Sequence, residues 1–168
     1  MIIAYFDCFS GISGDMVLGA MVDAGLDAEL LRREIDKLNL GDVSLLFSAT
    51  ERHGIAATRA EVEVKGGPLA EADEQHQVAG SSDATGDAHH HDHGHDHHHA
   101  HRHVEEVLDV LRQSRLDEEV REKAIEIFGR LAEAEARVHG VSTADVHLHE
   151  VGTADALVDI VGAVAGLR

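Results

Sequence analysis

The alternation of apolar and polar positions divides the chain into elements before any residue chemistry is considered. The first nine residues, MIIAYFDCF, form a nearly continuous apolar run, which is typical of a buried strand. A turn of small residues, SGISGD, follows, and then a short helix from Met16 to Ala24 that Gly25 closes. Asp27 is placed to cap a second helix, which we predict to end at Gly41.

Two further segments of the first half show the period-two pattern of strands. Every second residue is apolar from Val43 to Phe47 and again from Ala60 to Val64, and Gly54 lies in the connection between them. These segments predict a β-hairpin. The predicted element order of the first half is therefore β-α-α-β-β.

The part of the chain after residue 103 has mainly helical spacing. Apolar residues from Val104 to Leu111 follow the i, i+3, i+4, i+7 pattern, and we expect Ser114 to cap a longer helix that Gly140 ends. The predicted core stripe of that helix is Val120, Ala124, Ile127, Phe128, Leu131 and Val138. The stretch VHLHEVG then predicts a short strand or extended loop, and Thr153 is placed to cap a last helix.

A segment of different composition separates the two halves. Residues 65–103 are rich in Gly, Ser, Asp and His and have almost nothing to bury, which predicts a disordered linker. The remaining pieces, 1–64 and 104–168, are each marginal for a stable core, so we expect them to pack together or in an oligomer. The fold class predicted is α+β in mixed layers, with an α/β piece, a His-rich linker and a mainly helical piece.

Overall charge and cysteine content exclude several classes of protein. The chain of 168 residues has 14 Lys and Arg against 32 Asp and Glu, a formal net charge of -18, which argues against a nucleic-acid partner. A single cysteine, Cys8, fits a reducing cytoplasm. The first residues have no basic region and reach Asp7 before the apolar core of a signal peptide could develop. No apolar stretch approaches the roughly 20 residues that cross a bilayer. We therefore expect a cytoplasmic protein with no membrane partner.

The densest chemical signal is the histidine tract HHHDHGHDHHHAHRH. Its members are His89, His90, His91, His93, His95, His97, His98, His99, His101 and His103. Neutral imidazole binds nickel, zinc, copper and cobalt, and Asp92 and Asp96 can complete a ligand shell. An engineered affinity tag and a solvated spacer are the alternative interpretations. The lack of packing around the tract favours metal capture over catalysis, which requires ligands held in place.

A second signal, DCFSGISGDM, lies where the predicted first strand meets the first helix. Backbone N–H groups of such a turn can bind a phosphate. The positions concerned are Ser10, Gly11, Ser13 and Gly14. Asp7 and Asp15 flank them and are suited to a hard cation such as Mg²⁺. The alternative is a tight turn in which Asp15 caps the helix. For Cys8 a buried apolar role is favoured over a thiolate ligand.

The third signal is HLHEVGTADALVDIVG near the end of the chain. In an extended segment, His147 and His149 point to one side and Glu150 to the other. Asp155 and Asp159 are four residues apart and share a helix face. These nitrogen and oxygen ligands suit nickel or zinc. The alternative is that Asp155 only complements the helix N-terminus and His147 lies at the surface.

Taken together, DCFSGISGDM, the histidine tract, AIEIFGRLAEAEARVHG and HLHEVGTADALVDIVGA resemble the LarC family of nickel-insertion proteins over nearly the whole chain. The resemblance implies a nickel chelatase of the lyase class. Its substrate would be pyridinium-3,5-bisthiocarboxylic acid mononucleotide, and the reaction, dependent on CTP and Mg²⁺, would complete the nickel-pincer cofactor of lactate racemase. Family members are usually longer, which implies a C-terminal partner chain.

The resemblance also carries functional positions over to this chain. The motif match places them at Asp7, Asp15, His149, Glu150, Asp155 and Asp159. We expect Asp7, Asp15 and Glu150 to be catalytic, and the histidines and the last two aspartates to bind nickel. Two rival functions remain open: a non-enzymatic nickel or zinc store or metallochaperone, and a phosphoryl-transfer or phosphohydrolase site built on Asp7 with Mg²⁺.

Overall fold

A computed structural model describes residues 3–41, 43–64, 102–148 and 153–168 of the chain. The elements are α1 (Gly14–Asp23), α2 (Ala28–Asp36), β1 (Val43–Arg52), β2 (Ile55–Val64), β3 (Arg102–His103), α3 (Val104–Gln113), α4 (Glu118–His139), a short 3-10 helix (Thr143–Asp145), β4 (His147–Leu148) and α5 (Ala154–Gly166). This is an α+β fold, as predicted. Most of the predicted linker, residues 65–101, lies outside the described residues.

The predicted β-hairpin is confirmed over its full length. β1 and β2 pair antiparallel from Val43 opposite Val64 to Arg52 opposite Ile55. The two connecting residues, His53 and Gly54, both have left-handed backbone conformations, with φ of 53° and 80°. A two-residue turn with positive φ at both positions matches the twist of the strands, so the hairpin register follows from local chemistry.

Three of the predicted helix boundaries are confirmed at the level of single atoms. The Asp27 carboxylate accepts a hydrogen bond from the Glu29 backbone N–H at 3.0 Å, and the Thr153 hydroxyl oxygen accepts one from the Ala156 N–H at 3.3 Å. Gly140 ends α4 in the left-handed conformation, with φ of 67°. These boundaries are set by side chains within a few residues of the helix end, which is why the sequence predicts them.

Two other predicted boundaries are wrong. Ser114 does not begin α4; its buried hydroxyl donates a hydrogen bond of 2.6 Å to the Leu111 carbonyl at the end of α3, and Asp117 precedes α4 instead. Helix α2 ends at Asp36, well before Gly41. In both places several nearby residues are chemically able to begin or end a helix. The sequence pattern alone therefore does not select the boundary.

Residues from both halves of the chain form one hydrophobic core. Leu18 of α1, Leu31 of α2, Phe128 of α4 and Leu157 of α5 are all fully buried. Helix α5 packs against α1, α2 and α4, so the last helix joins the first half to the second. This packing gives each half the apolar contacts that neither has enough residues to supply alone.

The buried stripe of α4 differs from the predicted one. It consists of Val120, Ala124, Phe128, Ala132 and Ala136, each four residues after the last. Val138 is 80% exposed, and Ile127 and Leu131 are only partly buried. The buried positions recur at every fourth residue, which places them along one face of the helix. No described helix, α4 included, is both long and apolar enough to cross a membrane.

The predicted first strand is also wrong for the residues that the structure describes. Residues 3–8 form no regular element, and Ile3, Tyr5 and Phe9 are 76%, 87% and 94% exposed. Cys8 is exposed as well, so its predicted role as a buried apolar residue is wrong. A strand needs a partner for its backbone groups, and within the described ranges β1 pairs with β2 and β3 with β4.

Candidate functional site

Three carboxylates from the two ends of the chain meet where α1 and α5 pack together. Asp15 lies in the first turn of α1, Asp155 in the first turn of α5, and Asp159 one turn further along α5. Burial is the main cause that raises the pKa of Asp155 and of Asp159, and the charge of Asp15 raises both further. We call Asp15, Asp155 and Asp159 the acidic cluster. The prediction that Asp155 and Asp159 share a face is consistent with this arrangement.

Asp159 lies directly against the start of α1. Its carboxylate accepts a hydrogen bond from the Asp15 backbone N–H. A Cβ atom added to Gly14 would lie 2.2 Å from Asp159 Oδ2 and 2.4 Å from its Cβ, so only glycine fits between them. A negative group at a helix N-terminus complements the unpaired N–H groups there. This contact accounts for an aspartate within an otherwise apolar helix.

The acidic cluster carries negative charge with little compensation. Burial, and after it the charges of Asp155 and Asp15, raises the pKa of Asp159 to about 7. Partial burial, together with Asp15, also raises the pKa of Asp155. Asp159 Oδ1 is buried without a hydrogen-bond partner, and the ion pairs found among the described residues leave out all three carboxylates. A positive charge placed beside these carboxylates would offset their mutual repulsion.

The acidic cluster is not by itself a finished metal centre. Within ranges 3–41, 43–64, 102–148 and 153–168, no group of three or more His, Cys, Asp or Glu side chains is arranged to hold a metal ion. The predicted nickel ligand His149 and the predicted catalytic residue Glu150 fall outside those ranges, as do the predicted tract ligands from His89 to His101. His103 and His147 are described, in β3 and β4.

The predicted phosphate loop does form a turn before α1. The Gly11 N–H donates a hydrogen bond of 3.0 Å to the Cys8 carbonyl, and Gly11 has a φ of +86°. The Ser13 hydroxyl donates to the Asp15 carboxylate. Ser13, not Asp15, holds the position before the helix, so the alternative in which Asp15 caps α1 is wrong. Phosphate binding and the catalytic role of the exposed Asp7 stay predictions.

The space around the Cα atom differs between Gly14 and Gly129, and it predicts opposite effects on stability when each is replaced by alanine. Gly14→Ala should lower the free energy of unfolding by about 1–3 kcal/mol, since the new methyl group displaces Asp159 and with it α5. Gly129→Ala, inside α4 with open space at its Cβ, should raise the same quantity by about 0.5–1 kcal/mol. Urea unfolding of the two variants measures both. A Gly14→Ala protein as stable as the Gly129→Ala protein would contradict the close contact.

Comparison with known proteins identifies the family. The model of the family described as nickel insertion protein matches residues 4–168. The chain belongs to this family. The matched residues include α1 and α5, the two helices of the acidic cluster, and the family description names nickel.

Curated relatives agree with this assignment. A protein of Desulfitobacterium hafniense (strain DSM 10664 / DCB-2), named pyridinium-3,5-bisthiocarboxylic acid mononucleotide nickel insertion protein, is 41% identical over 97% of this chain and 33% of its own length. A protein of the same name from Thermotoga sp. (strain RQ2) is 43% identical over 100% of this chain and 37% of its own. A putative nickel insertion protein of Geobacter sp. (strain M21) is 42% identical over 99% of this chain and 36% of its own length.

This member of the nickel insertion protein family spans about a third of the length of the curated relatives it matches. No solved structure matches the chain. Sequence reasoning singled out all three members of the acidic cluster but did not predict that Asp15 meets Asp155 and Asp159. The signal available was Asp159 itself, a carboxylate in an apolar helix that requires a polar neighbour.

Proposed function

We propose that this chain takes part in inserting nickel into pyridinium-3,5-bisthiocarboxylic acid mononucleotide. The proposal includes CTP with Mg²⁺ as co-reactants and the nickel-pincer cofactor of lactate racemase as product. The observation that carries it is the acidic cluster, in which the first and last motifs of the chain supply carboxylates to one place. A protein that only stores metal in a histidine tract has no need of this arrangement.

The ligand chemistry supports a transfer role for the cluster. Nickel is the substrate here, and it must leave its carrier for the sulfur atoms of the thiocarboxylates. Carboxylate oxygens and a few imidazoles hold nickel less firmly than a full set of soft ligands, which favours release. Carboxylate oxygens, such as those of Asp15, Asp155 and Asp159, are also the type of ligand that Mg²⁺ takes together with nucleotide phosphates.

The remaining parts of the proposed site come from outside the described residues. Glu150 and His149 follow β4 in the sequence and precede α5, so the chain connects them to the cluster over a few residues. We further propose that the polypeptide corresponding to the other two thirds of the relatives, on the same chain or a partner chain, completes the nucleotide site. We also propose that the protein forms an oligomer and is located in the cytoplasm.

Asp15→Asn tests the proposed function, with Asp36→Asn as a matched control. Asn keeps the size of the side chain but removes the negative charge at the cluster, so nickel transfer should fall by about tenfold or more. Asp36 is exposed at the end of α2, and its variant should transfer nickel normally. The measurement is mass spectrometry of nickel-containing nucleotide, formed from the bisthiocarboxylic precursor, CTP and Mg²⁺ in the presence of the remaining polypeptide.

Two outcomes would contradict the proposal and favour a rival. Nickel bound by the chain with no nickel in the nucleotide product would favour a store or metallochaperone. Phosphate release that depends on Asp7 and Mg²⁺ but not on nickel would favour a phosphohydrolase. Nickel binding by the tract should persist in Asp15→Asn, and equal loss of binding and transfer in a folded protein would contradict separate capture and transfer sites.

A further inference from the structure

The chain from Ile3 to Ile12, which we call the N-terminal segment, presents an apolar surface that the rest of the described protein leaves open. Its large exposed side chains, together with one in the first turn of α1, are Ile3, Tyr5, Phe6, Phe9, Ile12 and Met16. They include three of the five aromatic residues of the chain, whereas Phe128 is fully buried in the core. Contiguous exposed apolar residues, and aromatic ones above all, are typical of interaction surfaces.

The backbone of the N-terminal segment is as open as its side chains. Within the described ranges it forms one backbone hydrogen bond, from the Gly11 N–H to the Cys8 carbonyl, and residues 3–7 pair with none of the strands β1 to β4. Isoleucine, tyrosine and phenylalanine favour strands, and the backbone groups of a strand bond to a neighbouring strand. The segment therefore has the composition of a strand, but the described residues give it no neighbour.

Two nearby sources of a neighbouring strand are disfavoured. In the hairpin of the same chain, the Arg32 Nε–H donates a hydrogen bond of 2.9 Å to the Leu45 carbonyl of β1, and Gly19 of α1 lies against the Thr58 carbonyl of β2. Both strands of the hairpin thus already have a helix residue at their backbone. A second copy of the chain is disfavoured by charge, since each copy has a net charge of -18 and the segment has no basic residue.

We propose that the N-terminal segment is a docking strand for the polypeptide that makes up the other two thirds of the relatives, on the same chain or on a partner chain. The Thermotoga sp. relative matches all of this chain, the segment included, within 37% of its own length, so the rest of such a protein is available to cover the surface. The partner would present a strand edge with apolar side chains, which adds to the segment through backbone hydrogen bonds and covers Tyr5 and Phe9. This inference rests on the proposed function and deepens it by naming the surface that the second polypeptide binds.

The proposed docking surface leads directly to the acidic cluster. Ile12 precedes Asp15 by three residues and Met16 follows it, and both apolar side chains are exposed. A polypeptide that covers Ile12 and Met16 therefore also borders Asp15. Docking at this surface would bring the second part of the proposed nucleotide site to the carboxylates of the first part.

Complex formation tests the docking surface without nickel, CTP or nucleotide. This chain is co-expressed with the part of the Thermotoga sp. relative that lies outside the matched region, and the two should co-purify as a one-to-one complex. Phe9→Asp should weaken the complex about tenfold or more, because burying an unpaired charge at the interface is costly, whereas Phe9→Leu should retain most of the binding. Val138→Asp, which alters another exposed apolar residue at the end of α4, should bind normally. Absence of a complex with the unaltered chain, or equal binding by Phe9→Asp, would overturn the proposal.

A second measurement keeps both parts on one polypeptide and therefore does not depend on their separate folding. In a chimera, this chain takes the place of the matched region of the Thermotoga sp. protein. Hydrogen exchange followed by mass spectrometry should show the amides of residues 4–9 exchanging at least tenfold more slowly in the chimera than in this chain alone. Equally fast exchange in both would overturn the docking strand, and protection in this chain alone that rises with its concentration would assign the surface to a second copy instead. Failure of nickel transfer by a chimera in which these amides are protected would count against the proposed function only.

Discussion

Replacing Asp159 with Asn should stabilise the chain at pH 8 and remove much of its loss of stability between about pH 4 and pH 7. The pKa of Asp159 rises from 3.8 to about 7 on folding, mainly because the carboxylate is buried. The unfolded chain gives up this proton near pH 4, whereas the folded protein keeps it until about pH 7. Stability therefore falls as pH rises through this window and then stays lower.

The variant removes this cost because the Asn amide is neutral at every pH in the window. Its oxygen can still accept the hydrogen bond from the Asp15 N–H. The free energy of unfolding at pH 8 should rise by on the order of 1–3 kcal/mol, less than the full pKa shift implies because part of the carboxylate reaches solvent. Transfer of nickel should fall at the same time, the usual exchange of stability for function at a charged site.

Asp117→Asn is the matched control, and it should change the free energy of unfolding in the opposite direction. The Arg168 guanidinium, 2.6 Å away, and the Lys37 ammonium lower the pKa of Asp117, so its charge stabilises the fold above about pH 4. Removing that charge should slightly destabilise the protein at pH 8. Thermal unfolding followed by circular dichroism from pH 4 to pH 8 measures both variants. Lower stability of Asp159→Asn than of wild type at pH 8 would show that the Asp159 charge is net stabilising.

A divalent cation gives the same prediction an independent check. Mg²⁺ bound at the acidic cluster would supply the missing positive charge, and a ligand that binds only the folded state stabilises it. Millimolar Mg²⁺ at pH 8 should therefore raise the unfolding temperature of wild type more than that of Asp159→Asn. Equal shifts in the two proteins would place the bound Mg²⁺ elsewhere.

Deleting residues 80–101 should remove most of the nickel that the chain binds while leaving the fold intact. The deletion takes out nine of the 15 histidines. The described core lies outside it, and shortening the connection between β2 and β3 changes the loop-closure free energy by only about 0.6 kcal/mol per halving. Equilibrium dialysis should show a steep fall in nickel bound per chain. Nickel held by the intact tract should be released below about pH 6.5, where imidazole becomes protonated.

A variant of full length with the nine histidines changed to Asn separates the loss of imidazole from the change in length. Both altered chains should need more nickel for transfer than the intact chain, because a tethered store raises the local concentration of the ion. At saturating nickel both should reach the same maximum as the intact chain. A lower maximum in both at every nickel concentration would place the essential nickel site within the tract.

Much of the local structure could be predicted because each signal acts within a few residues. The His53–Gly54 turn sets the hairpin register, and Asp27 and Thr153 cap helices through hydrogen bonds to residues two or three positions away. The predictions failed where contacts with residues distant in the sequence determine which side chains are buried. Val138 was predicted to belong to the core stripe of α4, but the buried stripe ends at Ala136 and Val138 is 80% exposed.

The sequence by itself determined most of the helices, the hairpin and the acidic charge, and it singled out the three segments predicted to bind metal or phosphate. It also determined that Asp159 needs a polar neighbour, since a carboxylate in an apolar helix is costly without one. Only the tertiary structure decided that this neighbour is the first turn of α1, made accessible by the missing side chain of Gly14. Such contacts join residues more than a hundred positions apart, and no local pattern encodes a distance across the core.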